Sequence, residues 1–553
     1  MSRIADRRGA GSPRPASPAR TPDERGARST RVGIGLAACA VLIGSAASCS
    51  LVASYGDVPQ GGASAGGHGA SGGTGGATGS GGTSGYGGAG GQGGGSVGNC
   101  DPALGAVDPA CGVFVSDSLG DDASEGSPSL PFKTLAHAVA ASPTGRIYLC
   151  AETFASATSV TIDRKVEMHG GLDCHAGWIY QDAGESIATA SPDVIPLVLE
   201  AGASDSSFDH LDSRAADAHS AGGSSIALVI SGATGVTFSH GTLCAGDGMF
   251  GAAGASNVVP ALTGLPGGKG GDGCSPNAAA GGPGAAINCL PNTSQGGTGG
   301  AGGLTLGANG ANGTSIPPVS LPISNGGAGA TPSTSCADGT GGSPGMTGTN
   351  AAAPMGSATL DALGIHPGSG VGGERGGPGQ GGGGGGGSGG SICVAAGYGP
   401  GGGGGGSGGC GGHGGGGGGP GGSSIAVVLL AGATVSFDST VDIIAGDGKA
   451  GGGGGNGQLG GFGGSGGPGG TTDGGGNGCS GGTGGGGGRG GGGSGGQGGY
   501  AVAIAYQTSD PGPTLNGGMV VVGSAGAGGP GGANGAGNAA GGPDGVSGAV
   551  LAL

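Results

Sequence analysis

The sequence predicts an all-β chain wound as a β-solenoid, and three observations carry that expectation. One stretch is written twice: residues 421–448 read GGSSIAVVLLAGATVSFDSTVDIIAGDG, and residues 222–248 read GGSSIALVISGATGVTFSHGTLCAGDG. The two share the opening GGSSIA and the closing AGDG, and Val236 and Phe238 answer Val435 and Phe437. Each copy is built from runs of about five apolar or β-branched residues bounded by Gly, Ser and Thr, a strand signature too short for helices. Each copy then empties into glycine-rich sequence, and a degenerate third copy follows at residues 500–506 and 519–522. Such repeats are expected as stacked rungs of one solenoid.

Of 553 residues 162 are glycine, and only 34% are apolar and 3% aromatic, so the buried core is small for the length. Beyond residue 48, 30 acidic residues face 9 Lys and Arg, a net charge of −21. A chain this acidic repels phosphate backbones, which argues against a nucleic-acid partner.

The first element in chain order is an address. Eight of the 13 arginines precede residue 32, and an uncharged run of small and apolar residues, VGIGLAACAVLIGSAAS, occupies 32–48 before Cys49. A positive region, an apolar region and small residues before a cut make an export signal. Ala46-Ala47-Ser48-Cys49 resembles a bacterial lipobox, which implies acylation of Cys49; Leu36-Ala37-Ala38-Cys39 is the competing site. An uncleaved anchor is the alternative, since 17 residues lie at the short limit for a bilayer span. Ser50 after the cysteine implies, by resemblance to other lipoproteins, outer-membrane sorting. Residues 61–95 are Gly, Ser, Thr and Ala apart from His68, Tyr86 and Gln92, and read as a flexible tether.

Residues 99–248 have ordinary composition and must hold most of the core. Residues 113–116 (VFVS) read as a strand, followed by an acidic turn at 120–126. Pro131 is expected to open a short helix, with Phe132, Leu135 and Val139 on one side. Gly120-Asp121-Asp122 followed by Pro131-Phe132-Lys133-Thr134-Leu135 resembles the start of pectin-lyase-like proteins. That resemblance implies a right-handed parallel β-helix whose open end the helix caps. Strands are expected at 146–150, 159–162, 165–169, 195–199, 208–211, 226–230 and 236–238, with Leu197, Leu228 and Val427 in one interior ladder. An antiparallel sandwich also uses short, regularly spaced strands. Against it, tight Asn-Gly turns are scarce here, and a sandwich has no simple reason to repeat a rung after a long interruption.

Residues 249–420 and 449–497 separate neighbouring rungs, so each must leave and return at nearly the same place. Loop closure grows only by about 0.6 kcal/mol per doubling of length, so such insertions are tolerable. All should protrude from one corner. At every third position from 451 to 499, sixteen of seventeen residues are Gly, with Thr472 the exception. A second register is mostly Gly as well. Side chains concentrate in the third: Asn456, Leu459, Phe462, Ser465, Pro468, Thr471, Asn477, Ser480, Thr483 and Arg489. An extended helix of three residues per turn would project these along one edge and leave two glycine edges for backbone approach. Polyglycine II bundling is the expectation; disorder is its competitor, because glycine loses the most backbone entropy on ordering. The less regular 249–420 tract, with an apolar patch at 391–395, is expected to be mixed.

Eleven cysteines follow Cys49, and an exported protein permits disulfides. Cys150 with Cys174 flanks about one turn; Cys100–Cys111, Cys274–Cys289 and Cys393–Cys410 follow by proximity. No Cys-x-x-Cys supports a metal site. Gly267–Asp272 fits a calcium-binding repeat once, and that repeat works only when stacked. Asp247 and Asp447 are expected as turn residues bonding their own backbone, with a shared calcium site as the alternative. The lyase resemblance implies carboxylates for calcium and an Arg or Lys base. The nearest constellation is Asp209, His210, Asp212 and Arg214 with Asp163, Arg164 and Glu167; charged outward faces also simply keep a solenoid soluble, and fold alone does not warrant activity.

The expected organisation is a signal (1–48), a tether (49–98), the β-helix body (99–248), a glycine-rich insertion (249–420), a rung (421–448), a Gly-Gly-X insertion (449–497), a third rung (498–523) and a glycine-rich tail with a last strand (524–553). The Gly-Gly-X tracts resemble those of PGRS-type (PE-PGRS-like) surface proteins, although nothing here resembles the helical PE domain. The expected role is structural or adhesive at the cell surface, without catalysis or cofactor. Expected partners are the membrane, through the lipid, and extracellular polysaccharide or other surface proteins. The alternative is a carbohydrate-active or carbohydrate-binding β-helix.

Overall fold

The computed structural model describes residues 98–553 except 182–183, 317–323, 332, 356–357, 391–396, 474–475 and 511. The signal, Cys39, Cys49, the tether and the 391–395 patch therefore lie outside the described residues. The described chain is all-β apart from the short helix Leu135–Ala141 and two 3-10 turns. No described helix is long and apolar enough to cross a membrane.

Three parallel sheets account for the body. The first contains Val113–Val115, Arg146–Cys150, Glu167–Asp173, Ser207–Asp209, Val236–Ser239, Val435–Phe437 and Thr514–Leu515. The second contains Thr153–Ser156, Ser186–Ala190, Leu211–Arg214, Thr242–Ala245, Asp442–Ala445 and Val520–Val522. The third contains Val160–Ile162, Leu197–Leu199, Ser225–Ser231, Ser424–Leu430, Ala501–Tyr506 and Ser547–Ala552. From Arg146 onward the chain visits first, second and third in unbroken rotation. Ile226 pairs with Ile425 and Val236 with Val435, so the repeated stretches are adjacent circuits in register.

One interior ladder runs through Val160, Leu197, Leu228, Val427 and Ile504 to Val550. Phe208, Phe238 and Phe437 make a second, with ring centroids 4.6 and 5.8 Å apart. Burying each such side chain is worth roughly 1.5–3 kcal/mol. The third sheet is covered on its outer face as well. There the hairpin Thr359–Asp361 and Gly364–His366, part of the longest insertion, folds back so that Ile365 packs with Ile226 and Ile425. Gly364, at φ +98°, stands where a Cβ would come within 2.8 Å of the Ile226 side chain.

The helix closes the first circuit, with Leu135, Ala138 and Val139 in the core. It begins four residues after Pro131, not at it. Phe132 is taken up by an extended bridge to the first strand, its N–H donating to Phe114 and its carbonyl accepting from Ser116, each at 2.9 Å. Thr134 then caps the helix, accepting from His137 N–H at 3.2 Å, and Asp122 accepts from the amides of Lys133 and Thr134. The other end of the core is open: Val550 is 40% exposed, whereas its partner Ile504 is fully buried.

Among the described residues, each glycine tract departs from a second-sheet strand and returns to a third-sheet strand, so these protrude from one corner. There they form an ordered bundle of extended segments. Three consecutive amides illustrate it: Gly401 donates to Gly271 at 2.9 Å, Gly402 to Gly300 at 2.8 Å and Gly403 to Cys479 at 2.8 Å. Gly404, Gly405 and Gly406 repeat the pattern to Gly268, Gly297 and Gly482. The carbonyls of Gly401, Gly402 and Gly403 accept from Gly470, Gly282 and Gly385, each at 2.8 Å. A period of three thus gives segment 401–406 six hydrogen-bonded neighbours. Added Cβ atoms at Gly404, Gly405 and Gly406 would overlap carbonyl oxygens of Pro283, Gly382 and Gly464. None of these glycines adopts a left-handed φ. Close backbone approach, not conformational freedom, is what excludes a side chain here.

Cys289–Cys410 and Cys336–Cys479 cross-link segments of this bundle, with Cα atoms 5.2 and 5.8 Å apart. The expected neighbour pairs Cys274–Cys289 and Cys393–Cys410 are thereby corrected. Adjacency in the bundle, set by chain reversal, brings together cysteines 121 and 143 residues apart. In the body the structure joins Cys100 to Cys111 and Cys150 to Cys174.

Candidate functional site

The outer face of the first sheet carries a cluster of ionisable side chains. Register places Tyr148, His169, Asp209 and Ser239 in one outward column. His210 and His240 follow it at the corner where the chain turns toward the second sheet, both left-handed at φ 52° and 47°. Tyr180 arrives from an antiparallel addition to Glu167–Asp173. Rings line the face: Tyr148 stacks on His169 at 5.4 Å and His210 on His240 at 4.6 Å, while Tyr180 lies tilted against His210 at 4.5 Å. Between this face and the loop 98–104 lies a cleft of about 960 Å³, also lined by Arg146 and Glu167.

Asp209 is its centre. Its carboxylate accepts from Ser239 Oγ at 2.8 Å, from His240 Nδ1 at 2.9 Å and from the Tyr180 hydroxyl, with His210 Nδ1 at 3.2 Å. Burial alone would raise its pKa, but the close His210 imidazole and hydrogen bonds from Tyr180, His240 and Ser239 outweigh it and hold the carboxyl well below the usual range. Burial and the Asp209 charge push the Tyr180 hydroxyl far up. Burial lifts Tyr148 to about 12; its hydroxyl donates to the Cys100 carbonyl at 2.7 Å. Burial lowers His169. Arg146 closes the cleft's far side on Glu167 at 2.6 Å.

The charged residues singled out in the sequence do not form one constellation. Asp209, His210 and Glu167 share the first sheet. Asp212 and Arg214 lie on the second, because left-handed His210 turns the chain between them. There Arg214 bridges buried Asp212 at 2.6 Å and Glu185 at 2.9 Å. Burial and the Glu185 carboxylate raise Asp212 to about 7 in spite of Arg214. Asp163 and Arg164 pair with each other on the turn into the first sheet.

Asp247 and Asp447 serve the next circuit, not their own backbone. Asp247 accepts from Asp447 N–H at 2.8 Å, and Asp447 from Ser524 N–H at 2.9 Å. The space between their carboxylates, where a shared calcium was the alternative, holds the Lys449 ammonium at 2.7 and 3.3 Å. Asp272 of the single Gly-Gly-x-Gly-x-Asp match is tied to Lys269 and to Thr471.

Sequence reading passed over Tyr180, His240 and Glu185. A signal for His240 exists: Ser207-Phe208-Asp209-His210 and Thr237-Phe238-Ser239-His240 are two circuits of one pattern, thirty residues apart. No protein-family model matches the chain, and neither a curated protein nor a solved structure is significantly similar to it.

Proposed function

We propose that the chain is an exported, lipid-anchored cell-surface protein with a structural or adhesive role, built as a right-handed parallel β-helix that carries a polyglycine II bundle. One observation carries this reading: along residues 456–471 the bundle projects every third side chain onto an exposed rim. Asn456, Leu459, Phe462, Ser465, Pro468 and Thr471 are all exposed, while the alternate glycines approach neighbouring backbone. On that rim segments 258–265 and 459–462 run side by side, Ala261 donating to Leu459 and Gly264 to Phe462. They leave Leu262 66% and Phe462 75% exposed, next to Leu265 and Leu459. A clustered apolar strip on a rigid support suits adhesion. The disulfides suit an oxidising compartment outside the cytoplasm.

Labelling with a palmitate analogue tests the anchor: incorporation should vanish in Cys49→Ser and persist in Cys39→Ser. Attachment of the purified chain to cell envelopes or matrix tests adhesion, and should fall in Leu262→Ser/Phe462→Ser; equal attachment would remove the adhesive role. A second reading, a carbohydrate-binding or carbohydrate-active β-helix, draws on the cleft at Asp209. Release of unsaturated sugars from acidic polysaccharides, lost in Asp209→Asn, is its test, and no product from a broad panel retires the enzymatic form.

A further inference from the structure

We propose that Asp209, His210 and His240 form a binding site for a divalent transition-metal ion of the zinc, copper or nickel class. One ligand atom from each residue lies within 4.8 Å of the others. Both imidazoles turn Nδ1 toward the same carboxylate, His240 at 2.9 Å and His210 at 3.2 Å. His210 Nδ1 is nevertheless buried without a well-formed hydrogen bond. An imidazole nitrogen shut away from water and poorly satisfied is costly as a mere surface group, and it is the atom an ion would engage.

The backbone adds an independent observation. Two successive circuits place histidine at a left-handed corner, a conformation that costs a non-glycine residue about 1 kcal/mol or more. The corner keeps the imidazoles where glycine or asparagine would be the relaxed choice. Two imidazole nitrogens and one carboxylate oxygen suit zinc, copper and nickel, and differ from the all-oxygen shells of calcium and magnesium. Ser239 Oγ holds one oxygen of the carboxylate and the Tyr180 hydroxyl the other, as outer-shell donors orient a ligand.

To bind, His240 exchanges its Nδ1–H hydrogen bond to Asp209 for the ion and carries its proton on Nε2 instead, so that each neutral imidazole offers an Nδ1 lone pair, and water from the cleft completes the coordination. The rings are stacked within 14°, so one must turn for both lone pairs to meet a single ion. His240 has that freedom, its side chain being 51% exposed. The second cluster of ligand-type residues, Cys150, Glu152 and Cys174, is not a rival, since its two sulfurs are bonded to each other.

The test uses the full-length chain without a histidine tag, stripped with chelator, then titrated calorimetrically with zinc, nickel, copper and calcium. One equivalent of transition metal should bind, and calcium should not compete. His240→Ala should weaken binding by roughly 10–100-fold with unchanged circular dichroism, and Asp209→Asn likewise. His366→Ala, whose ring pairs with Asp361 elsewhere, should bind as wild type. The proposal is overturned if wild type and His210→Ala/His240→Ala take up equal metal, or if calcium fills the site instead.

Discussion

A methyl group at Gly406 would overlap the carbonyl of Gly464, whereas Thr483 already projects its side chain from the rim. Gly406→Ala should therefore cost about 2 kcal/mol by overpacking, and Thr483→Ala less than about 0.5 kcal/mol; denaturant midpoints at equal slope measure both. Rim positions were legible because a three-residue period sorts side chains without knowledge of neighbours. The site at Asp209 was not, because it needs the register of one circuit on the next. Asp212 gives a pH signature. Burial and Glu185 raise its folded-state pKa to about 7, above the ordinary carboxyl value. Its contribution is then fully present below about pH 4 and lost as pH rises through about 7. The stability of wild type relative to Asp212→Asn should fall steadily over that window. A flat difference contradicts the raised pKa.

At the scale of elements, the first and third sheets could be read from their Val, Ile, Leu and Phe runs. The second escaped. Its strands TFAS, SIATA and LDSR are short and mix small or polar residues, since the outward face carries Thr153, Thr189, Asp212 and Arg214 and the inward one is filled by Phe154, Ala188 and Leu211. The same loss of pattern hid the break at His210 and ran the expected strand 208–211 across a corner. Pairing of bundle segments was equally illegible for cysteines, since it depends on which segments come to lie side by side. The Cys336–Cys479 link closes a loop of 143 residues. Cross-links of such span stabilise by roughly 2–4 kcal/mol. Cys336→Ser/Cys479→Ser should lower the melting temperature and increase proteolysis at the bundle's far end while the body strands stay protected. An unchanged melting temperature would mean the bundle holds without it.

At the scale of the molecule, body and bundle share one corner, and each of the last three circuits of the body adds segments to the bundle. Position in the bundle is written in composition. All-glycine runs such as 381–387 and 401–406 are interior and surrounded, and Gly-Gly-X runs such as 451–471 form the rim. Backbone hydrogen bonds on every side offset the entropy of ordering glycine. Hydrogen–deuterium exchange of the glycine amides at 401–406 in the full-length chain is the most direct test. The account predicts protection comparable to that of Ile425 and Val427 in the third sheet, lost together with it on unfolding. Exchange of those amides at the rate of an unstructured peptide, with the sheet still protected, would contradict it.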